Sequence, residues 1–589
     1  MFTENDRRPW GALILVLALL GFGGIILVSL FFAGTLCPYA GINCGAGNGA
    51  ATEAAPAGSL EISFYSSNTK ESWINVVTES FNAAQIKTAS GKPIFVHVTH
   101  VTSGGSQGDI LSGKIQPTVW SPGDQSWVDG LNQVWQDRNG KSLVTEDCPS
   151  TIYAPIGFVM WRPMAEALGW PDKPIGWDQI VALAADPDGW ATYGHPEWGQ
   201  FKFGHTNPDY SNSGMLMLTA LAYSTLDITS GLTPGQVKSQ AVIDAMHQLE
   251  LHTYHYGTQS RDLLTLMARR GPSYLHAGTS TEAETLKYNI EAKDELRFPL
   301  AFIFPSEGTY WTGQLYCILN AEWVSAEQRE AAGLYRDYLL DPKQQAIAID
   351  NGLRPLDLRV PLHAPFTLEN GTDPNANPNT VPDLSAPSAE AANAVKDVFH
   401  QTKKKATIII VLDTSGSMEG DKMTNAVKAT ADFLKRLEKD DEIYVIAFSD
   451  NSTELQPAGR AGDVAERLSD TVLSLYAEGG TALYDAVCTA ADRVNQLRAE
   501  HEAAGDKRLY GIVVLSDGQD TASDKTESDM FNCLPSGEDV EGVKVFTIAY
   551  GSDADKDVLL RAANRTNGKT FTGDPETIDK VYTAISAEQ

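Results

Sequence analysis

One uncharged, apolar run near the N-terminus restricts the fold of this chain more than any other feature. Residues 9–52 contain no Asp, Glu, Lys, Arg or His, and the stretch from Gly11 to Phe32 is almost entirely apolar. At about 1.5 Å per residue, such a run crosses a hydrocarbon core of roughly 30 Å as a helix. A lone segment in lipid can satisfy its own backbone groups only as a helix. We therefore predict a transmembrane helix over 10–33.

The charges around this run predict its orientation. Arg7 and Arg8 precede it, and the next Lys or Arg is Lys70. The positive-inside rule therefore places residues 1–9 in the cytoplasm and everything after the helix outside. A cleaved signal peptide is the alternative, but the run is long for the apolar region of a signal peptide. The small residues of 34–59 predict a flexible stalk, and we expect a plasma-membrane protein that crosses the membrane once.

The length and the charge of the chain restrict its organisation and its partners. With 589 residues the chain is too long for a single core. It has 45 Lys and Arg against 75 Asp and Glu, which gives a formal net charge of −30. Nucleic-acid binding requires a cationic face against phosphate, so we predict none. The excess of carboxylates suits cations and basic partners better.

Six cysteines fit an oxidising compartment outside the cell. The sequence alone leaves 15 connectivities open, and buried free thiols are an alternative. One pair within each segment is the simplest arrangement. The pairs would be Cys37 with Cys44, Cys148 with Cys317, and Cys488 with Cys533.

A proline-rich stretch divides the part outside the membrane into two modules. Six prolines lie between Pro361 and Pro387, a density that neither a helix nor an inner strand can sustain. We interpret 361–399 as a linker stiffened by extended conformation. The modules are then 60–360 and 400–589.

The C-terminal module has the pattern of an α/β fold with a doubly wound parallel sheet. Thr407–Leu412 is a continuous apolar run, as a strand covered on both faces requires. Further strands alternate with helical patterns, which favours an open sheet between two helical layers. Ligands bind such sheets at the carboxyl ends of the strands. Asp413, Thr481 and Asp517 all follow at or near that edge.

Hydroxyl and carboxylate oxygens at this edge predict a site for a hard cation such as Mg²⁺. Asp413, Ser415 and Ser417 form an Asp-x-Ser-x-Ser sequence, and Thr481 and Asp517 come from later loops. Together, over about 405–589, they resemble the metal-ion-dependent adhesion motif of the von Willebrand factor A family at all five positions. The alternative is that these residues only cap turns and helices.

The resemblance implies more than the residues alone. The three hydroxyls would lie near the metal, and the two aspartates would bind it directly or through water. The ion would be Mg²⁺ or another divalent cation such as Mn²⁺ or Ca²⁺. A protein partner would complete the coordination with an acidic side chain.

The N-terminal module has hydroxyl-bearing loops after three strand patterns, at 60–65, 93–101 and 118–120. Loop amides and helix N-termini there can hold an anion or a polar ligand, although plain N-capping is the alternative. With Phe203–Pro208, Phe304–Thr309 and Gly352–Pro355, this pattern resembles bacterial extracellular solute-binding proteins. The resemblance implies two α/β lobes that close on a hinge around a small solute or anion. The candidate lining residues are Ser66, Ser67, Ser103, Ser121, Asn207 and Ser211.

No nucleophile elbow, zinc-protease helix motif or phosphate-binding loop occurs in the sequence, so we predict no enzyme activity. The predicted function is that of an anchored, extracytoplasmic binding protein. Its C-terminal module would recognise a protein through a divalent metal, and its N-terminal module would act as a solute-binding-like sensor. The alternatives are a substrate-binding receptor of a transport system and a chelatase-like accessory of metal insertion. We also hypothesise that closure of the cleft and adhesion are coupled across the linker.

Overall fold

The structure is a computed structural model that describes residues 55–535 and 542–575, together with 577, 578, 581, 582 and 585. The predicted cytoplasmic tail, transmembrane helix and Cys37–Cys44 pair lie outside the described residues, as does most of the predicted stalk. In the part that is described, no helix is both long enough and apolar enough to span a membrane.

The described strands and helices alternate along most of the chain. In chain order the strands are β1 (Leu60–Ser67), β2 (Ile94–Val101), β3 (Val119–Ser121), β4 (Ile156–Trp161), β5 (Phe203–Thr206), β6 (Thr253–Gly257), β7 (Ala277–Thr281), β8 (Leu300–Ile303), β9 (Cys317–Ile318), β10 (Lys405–Asp413), β11 (Glu442–Phe448), β12 (Ser452–Glu454), β13 (Gly459–Arg460), β14 (Arg508–Ser516), β15 (Lys544–Tyr550) and β16 (Thr570–Gly573). The helices are α1 (Glu71–Ala84), α2 (Ser103–Leu111), α3 (Gln125–Asn139), α4 (Arg162–Leu168), α5 (Trp177–Ala185), α6 (Asn212–Leu226), α7 (Pro234–Val237), α8 (Gln240–Leu251), α9 (Ser260–Arg270), α10 (Glu282–Glu291), α11 (Ala326–Leu339), α12 (Pro342–Asp350), α13 (Ala389–Thr402), α14 (Asp421–Leu434), α15 (Ala461–Leu473), α16 (Leu483–Ala504), α17 (Glu527–Cys533) and α18 (Lys556–Arg565).

Two sheets build the N-terminal module, one in each lobe. The first lobe has the strand order β2-β1-β3-β9, with β1 parallel to both β2 and β3. The second lobe has the order β6-β5-β7-β4-β8, in which β4 runs antiparallel to β7 and β8. Ile62 and Phe64, two residues apart on β1, are fully buried in the core of the first lobe, as the alternation of a strand requires. The two-lobed α/β architecture predicted for this module is present.

The C-terminal module contains a largely parallel sheet with helices on both faces. Its order is β12-β11-β10-β14-β15-β16, and β13 pairs with the edge of β11. Ile408 and Ile410 belong to the apolar core on one face, and Ile409 and Val411 to the core on the other. Because β10 is covered on both faces, its sequence is continuously apolar rather than alternating. The predicted doubly wound fold is confirmed.

Two of the expected disulfides are formed, one in each module. Cys148 pairs with Cys317, and Cys488 pairs with Cys533. Each joins segments far apart in the chain, and the second ties helix α16 to α17. Of the three predicted pairs, these are the two that lie in the described residues.

The segment 361–399, predicted as a linker, packs against the N-terminal module. Its last part forms helix α13, in which Val395, Val398 and Phe399 are at most 1% exposed and belong to the core of the second lobe. The Phe399 ring lies edge-on to Tyr256 at 5.7 Å. The sequence explains the difference from an extended tether, since the prolines end at Pro387 and the apolar residues that follow recur at helical spacing.

Polar contacts also join the C-terminal module to the second lobe. His400 of α13 forms ion pairs with Asp209, which follows β5, at 2.9 Å, and with Glu438, which follows α14, at 2.9 Å. Lys544 at the start of β15 donates to the carbonyl oxygen of Tyr254 at 2.9 Å. The two modules therefore share a partly ionic interface, whose charged side chains around His400 are half-buried.

Candidate metal and solute sites

The predicted metal residues lie at the carboxyl edge of the C-terminal sheet, where two neighbouring parallel strands end. Asp413 is the last residue of β10, and Asp517 follows β14 directly. Ser417 lies in a 3₁₀ turn at Gly416–Met418. Thr481 precedes helix α16 by two residues. Because β10 and β14 end at the same edge, the loops that follow them lie side by side, although they are about a hundred residues apart in the sequence.

Four of the five side chains are joined by short contacts. The hydroxyls of Ser415 and Ser417 are 3.0 Å apart, and Ser417 Oγ donates to Asp517 Oδ1 at 2.6 Å. Asp413 Oδ1 accepts from the backbone N–H of Ser415 at 2.9 Å, and its Oδ2 accepts from the hydroxyl of Ser516 at 2.7 Å. Both aspartates are fully buried.

Thr481 faces the same small space from the opposite loop. A methyl group built at Gly518 would lie 3.7 Å from Ser417 Oγ and 3.8 Å from Thr481 Oγ1. The loop that carries Thr481 is tied to the motif, because Gly416 donates its N–H to the carbonyl of Gly479 at 3.0 Å. The structure thus brings together all five residues that the sequence singles out.

The electrostatics of this edge favour a cation. Burial raises the pKa of Asp413, and the charge of Asp517 raises it further, against hydrogen bonds from Ser415 and Ser516 that lower it. Lys422, near the start of α14, places its ammonium 2.6 Å from Asp517 Oδ2. One ammonium against two buried carboxylates leaves a negative charge without compensation.

The donor set fits a hard divalent cation. Two carboxylates and three hydroxyls provide only oxygen ligands, and the space beside Gly518 is bounded by two of the hydroxyls. No group of three or more His, Cys, Asp or Glu side chains able to hold a metal exists among the residues that the structure describes. The predicted site contains only two such side chains, so this finding does not concern it.

The solute cleft lies between the two lobes, which are closed onto each other. Asn68 Nδ2 of the first lobe donates to Gln259 Oε1 of the second at 2.6 Å. Arg261 donates to Glu71 Oε2 at 3.2 Å and lies 3.6 Å from Glu284 Oε1. These contacts leave a cavity of about 40 Å³, and most of the residues around it are Ser, Thr, Asn or Gln.

Three of the six predicted lining residues, Ser67, Ser103 and Ser211, line this cavity. The other three are absent from its walls and use their side chains within the protein. Ser66 donates to a backbone carbonyl at 3.5 Å, and Ser121 donates to the carbonyl of Leu315. Asn207 Oδ1 accepts from the N–H of Asp209 at 2.9 Å.

Sequence reasoning missed the charged groups of both sites. In the cleft these are Arg261 and Glu284, and burial raises the pKa of the Glu284 carboxyl against the lowering effect of Arg261. At the metal edge the missed residue is Lys422. The sequence does place Lys422 five residues after Ser417, at the start of a helical pattern, so its proximity to the motif was visible there.

Two family models match the chain, each over one module. Residues 407–583 match the von Willebrand factor type A domain, and residues 62–354 match the bacterial extracellular solute-binding protein family. The chain joins a solute-binding domain to a von Willebrand factor type A domain. Both resemblances drawn from the sequence are thus confirmed at the level of the domain. The adhesion motif as a metal site and the membrane anchor stay predictions.

Individual relatives match part of the chain. An uncharacterized protein of Synechocystis sp. is 28% identical over 193 residues, which are 32% of this chain and 43% of that protein. Inter-alpha-trypsin inhibitor heavy chain H4 of Sus scrofa is 24% identical over 161 residues, 27% of this chain and 17% of that protein. The chain therefore spans less than half the length of these curated relatives. Among solved structures, a periplasmic thiamin binding protein is 14% identical with a TM-score of 0.42, over 58% of this chain and 96% of that chain.

The descriptions of these matches concern binding and inhibition. The family matched by the N-terminal module is one of solute-binding proteins, and the relative from Sus scrofa is named as the heavy chain of an inhibitor.

Proposed function

We propose that this chain is a membrane-anchored, extracytoplasmic binding protein that recognises a protein partner through a divalent cation at its C-terminal module. The observation that carries the proposal is the convergence of Asp413, Ser415, Ser417 and Asp517 within hydrogen-bond distances, with the Thr481 hydroxyl facing the same space. Domains of the matched C-terminal family generally bind a divalent metal through such a set.

The chemistry of this edge suits a cation that a partner completes. Ser415, Ser417 and Thr481 would hold Mg²⁺ through neutral oxygens, and the two aspartates would hold it directly or through water. When bound, the ion supplies an electrophilic centre for an outside carboxylate. Ser417 is exposed, whereas Ser415, Thr481 and both aspartates are buried, so a partner would reach the site from the side of Ser417.

Binding of Mg²⁺ by the full chain tests the proposal. We expect saturable binding by isothermal titration calorimetry, and stabilisation against thermal unfolding by about 2.7 kcal/mol at a hundred times the Kd. Asp413→Asn should remove both effects, because it withdraws one of two carboxylates. Asp432→Asn is the matched control, since Asp432 is half-buried on α14, away from the motif, and forms an ion pair with Lys435 at 3.8 Å. Mg²⁺ binding that is absent, or that Asp413→Asn leaves unchanged, contradicts the proposal.

We propose in addition that the N-terminal cleft binds a small solute or anion. The closed lobes, joined by the Asn68–Gln259 hydrogen bond and the Arg261–Glu71 ion pair, support this function. Hydroxyl and amide groups around a cavity of about 40 Å³ suit a compact polar ligand.

A thermal-shift screen of the full chain over small oxyanions and polar solutes tests this second function. A ligand of the cleft should raise the unfolding temperature of the wild type and not that of Ser103→Trp, which fills the cavity. Ser112→Trp, at the exposed end of the same helix, is the control. A screen in which no solute distinguishes the wild type from Ser103→Trp overturns the proposal.

A further inference from the structure

Lys422 is held beside the proposed cation site through its backbone carbonyl and its ammonium. Its backbone carbonyl accepts a hydrogen bond from the Tyr550 hydroxyl at 3.1 Å. Its Cε would lie 3.4 Å from a methyl group built at Gly551. Its ammonium lies 2.6 Å from Asp517 Oδ2, and the side chain is 28% exposed, against none for Asp517. The ammonium is thus a fixed part of this edge of the sheet.

Lys422 binds one carboxylate oxygen of the site, and hydroxyl groups bind two of the others. Ser417 occupies Asp517 Oδ1, and Ser516 occupies Asp413 Oδ2. Within the described ranges, Lys422 is the one basic side chain that forms an ion pair with either aspartate. Its charge therefore enters the balance of the site whether or not a divalent cation is present.

We infer that Lys422 determines the specificity of the proposed site, by setting its charge so that a cation-loaded site requires one carboxylate from the partner. Two carboxylates and one ammonium carry one negative charge. A divalent cation converts this to one positive charge, which a single partner carboxylate neutralises. This inference rests on the proposed function.

Removal of the ammonium should strengthen binding of the divalent cation and weaken binding of the partner carboxylate. Without it, the loaded site is neutral, and a partner carboxylate would enter with an uncompensated charge. The cation, in contrast, would no longer be repelled by an ammonium on the same carboxylate. A purely structural ion pair would not produce such opposite changes, because its loss would weaken the site for both ligands.

The test compares Lys422→Met, Lys422→Arg and Lys428→Met in the full chain. Methionine keeps most of the apolar stem without the charge, and arginine keeps the charge. Lys428 lies exposed on the same helix and serves as the control. The readouts are the Kd of Mg²⁺ by calorimetry, and the Kd of acetate, as a carboxylate probe, for the Mg²⁺-loaded protein by titration of amide resonances. Near-ultraviolet circular dichroism in EDTA verifies folding.

We expect Lys422→Met to bind Mg²⁺ about ten-fold more tightly and acetate at least ten-fold more weakly than the wild type. Lys422→Arg and Lys428→Met should stay within three-fold of the wild type for both ligands. If the wild type binds Mg²⁺ but Lys422→Met binds acetate as tightly as the wild type, the inference about Lys422 is wrong and the proposed function still stands. Joint weakening of both ligands in a folded Lys422→Met also overturns it and assigns a structural role. Absence of Mg²⁺ binding from both proteins overturns the proposed function and the inference together.

Discussion

Replacement of His400 by glutamine should destabilise the protein at acidic pH and have little effect at alkaline pH. His400 lies between Asp209 of the second lobe and Glu438 of the C-terminal module, at 2.9 Å from each. The two carboxylates raise the pKa of His400 to about 9, against the lowering effect of burial. The pKa of each carboxyl is lowered in return.

The magnitude follows from this pKa. An unperturbed histidine has a pKa of about 6.5, and one unit corresponds to about 1.36 kcal/mol, so the full shift would be worth about 3.4 kcal/mol. The side chain is 32% exposed, and screening by solvent reduces the value to about 2 kcal/mol. Because the folded-state pKa is raised, this stability is fully present below about pH 6.5 and is lost as the pH rises through about 9.

Other charged side chains lie near these carboxylates and also affect the stability of the protein at each pH. Lys396 and Lys403, on and just after the same helix, also lower the pKa of Asp209, and Lys403 lowers that of Glu438. Burial raises the pKa of Tyr210 beside Asp209, and the charge of Arg436, which follows α14, lowers it. Burial lowers the pKa of Lys396, so the charge of this lysine belongs in the comparison between the two pH values.

Urea unfolding of the full chain at pH 6.0 and pH 9.5 measures the effect. His400→Gln should lower the free energy of unfolding by about 2 kcal/mol at pH 6.0 and by less than about 0.5 kcal/mol at pH 9.5. His97→Gln is the control, because His97 forms its ion pair with the exposed Glu61, at 2.8 Å, within the first lobe. An equal loss at both pH values would show that His400 acts through packing, and would refute the electrostatic reasoning.

Three further outcomes follow from the structure. Gly518→Ala should weaken Mg²⁺ binding by about ten-fold at unchanged unfolding temperature in EDTA, since its methyl group meets two hydroxyls at ordinary contact distance; equal Mg²⁺ affinity in calorimetry would contradict this. Phe399→Ala should lower the free energy of urea unfolding by about 3–5 kcal/mol, because the ring is 1% exposed and packs on Tyr256, whereas a loss below about 1 kcal/mol would mean that α13 is not part of the core. Removal of the disulfide by Cys488→Ser together with Cys533→Ser should destabilise the protein by about 4 kcal/mol, as expected for the 45-residue separation. Differential scanning calorimetry of the double variant and the wild type, both without reductant, measures this loss, and equal unfolding temperatures would contradict it.

The strands and the metal motif could be predicted because their signals are local. A continuous apolar run over Thr407–Leu412 requires cover on both faces, and Asp413 must then lie at the carboxyl edge. Thr481 and Asp517 could be added because the fold brings later strand ends and loops to the same edge. The family resemblance identified the five residues of the motif, and the register of β10 with β14 shows why Asp413 and Asp517 lie close together.

The ion pairs of the charged partners could not be predicted, although Lys422 lies close to the motif in the sequence, because these contacts depend on tertiary packing. Lys422 and Asp517 are 95 residues apart and meet only once β14 pairs with β10. Arg261 and Glu71 belong to different lobes, 190 residues apart. The density of prolines before Ser388 concealed helix α13, whose apolar side chains find their partners only in the second lobe.

Helix α13 gives the two modules a common mechanical element. Lys396, midway along it, lies 4.5 Å from the ring centre of Trp127 in the first lobe, while Phe399 is buried in the second. Only Lys403 and Lys404 separate this helix from β10, the strand that ends in Asp413. Two residues span at most about 7 Å, so helix α13 and β10 can move apart by only a few ångströms. A change in the spacing of the lobes that keeps the contact with Trp127 must therefore move the seven-stranded sheet as well.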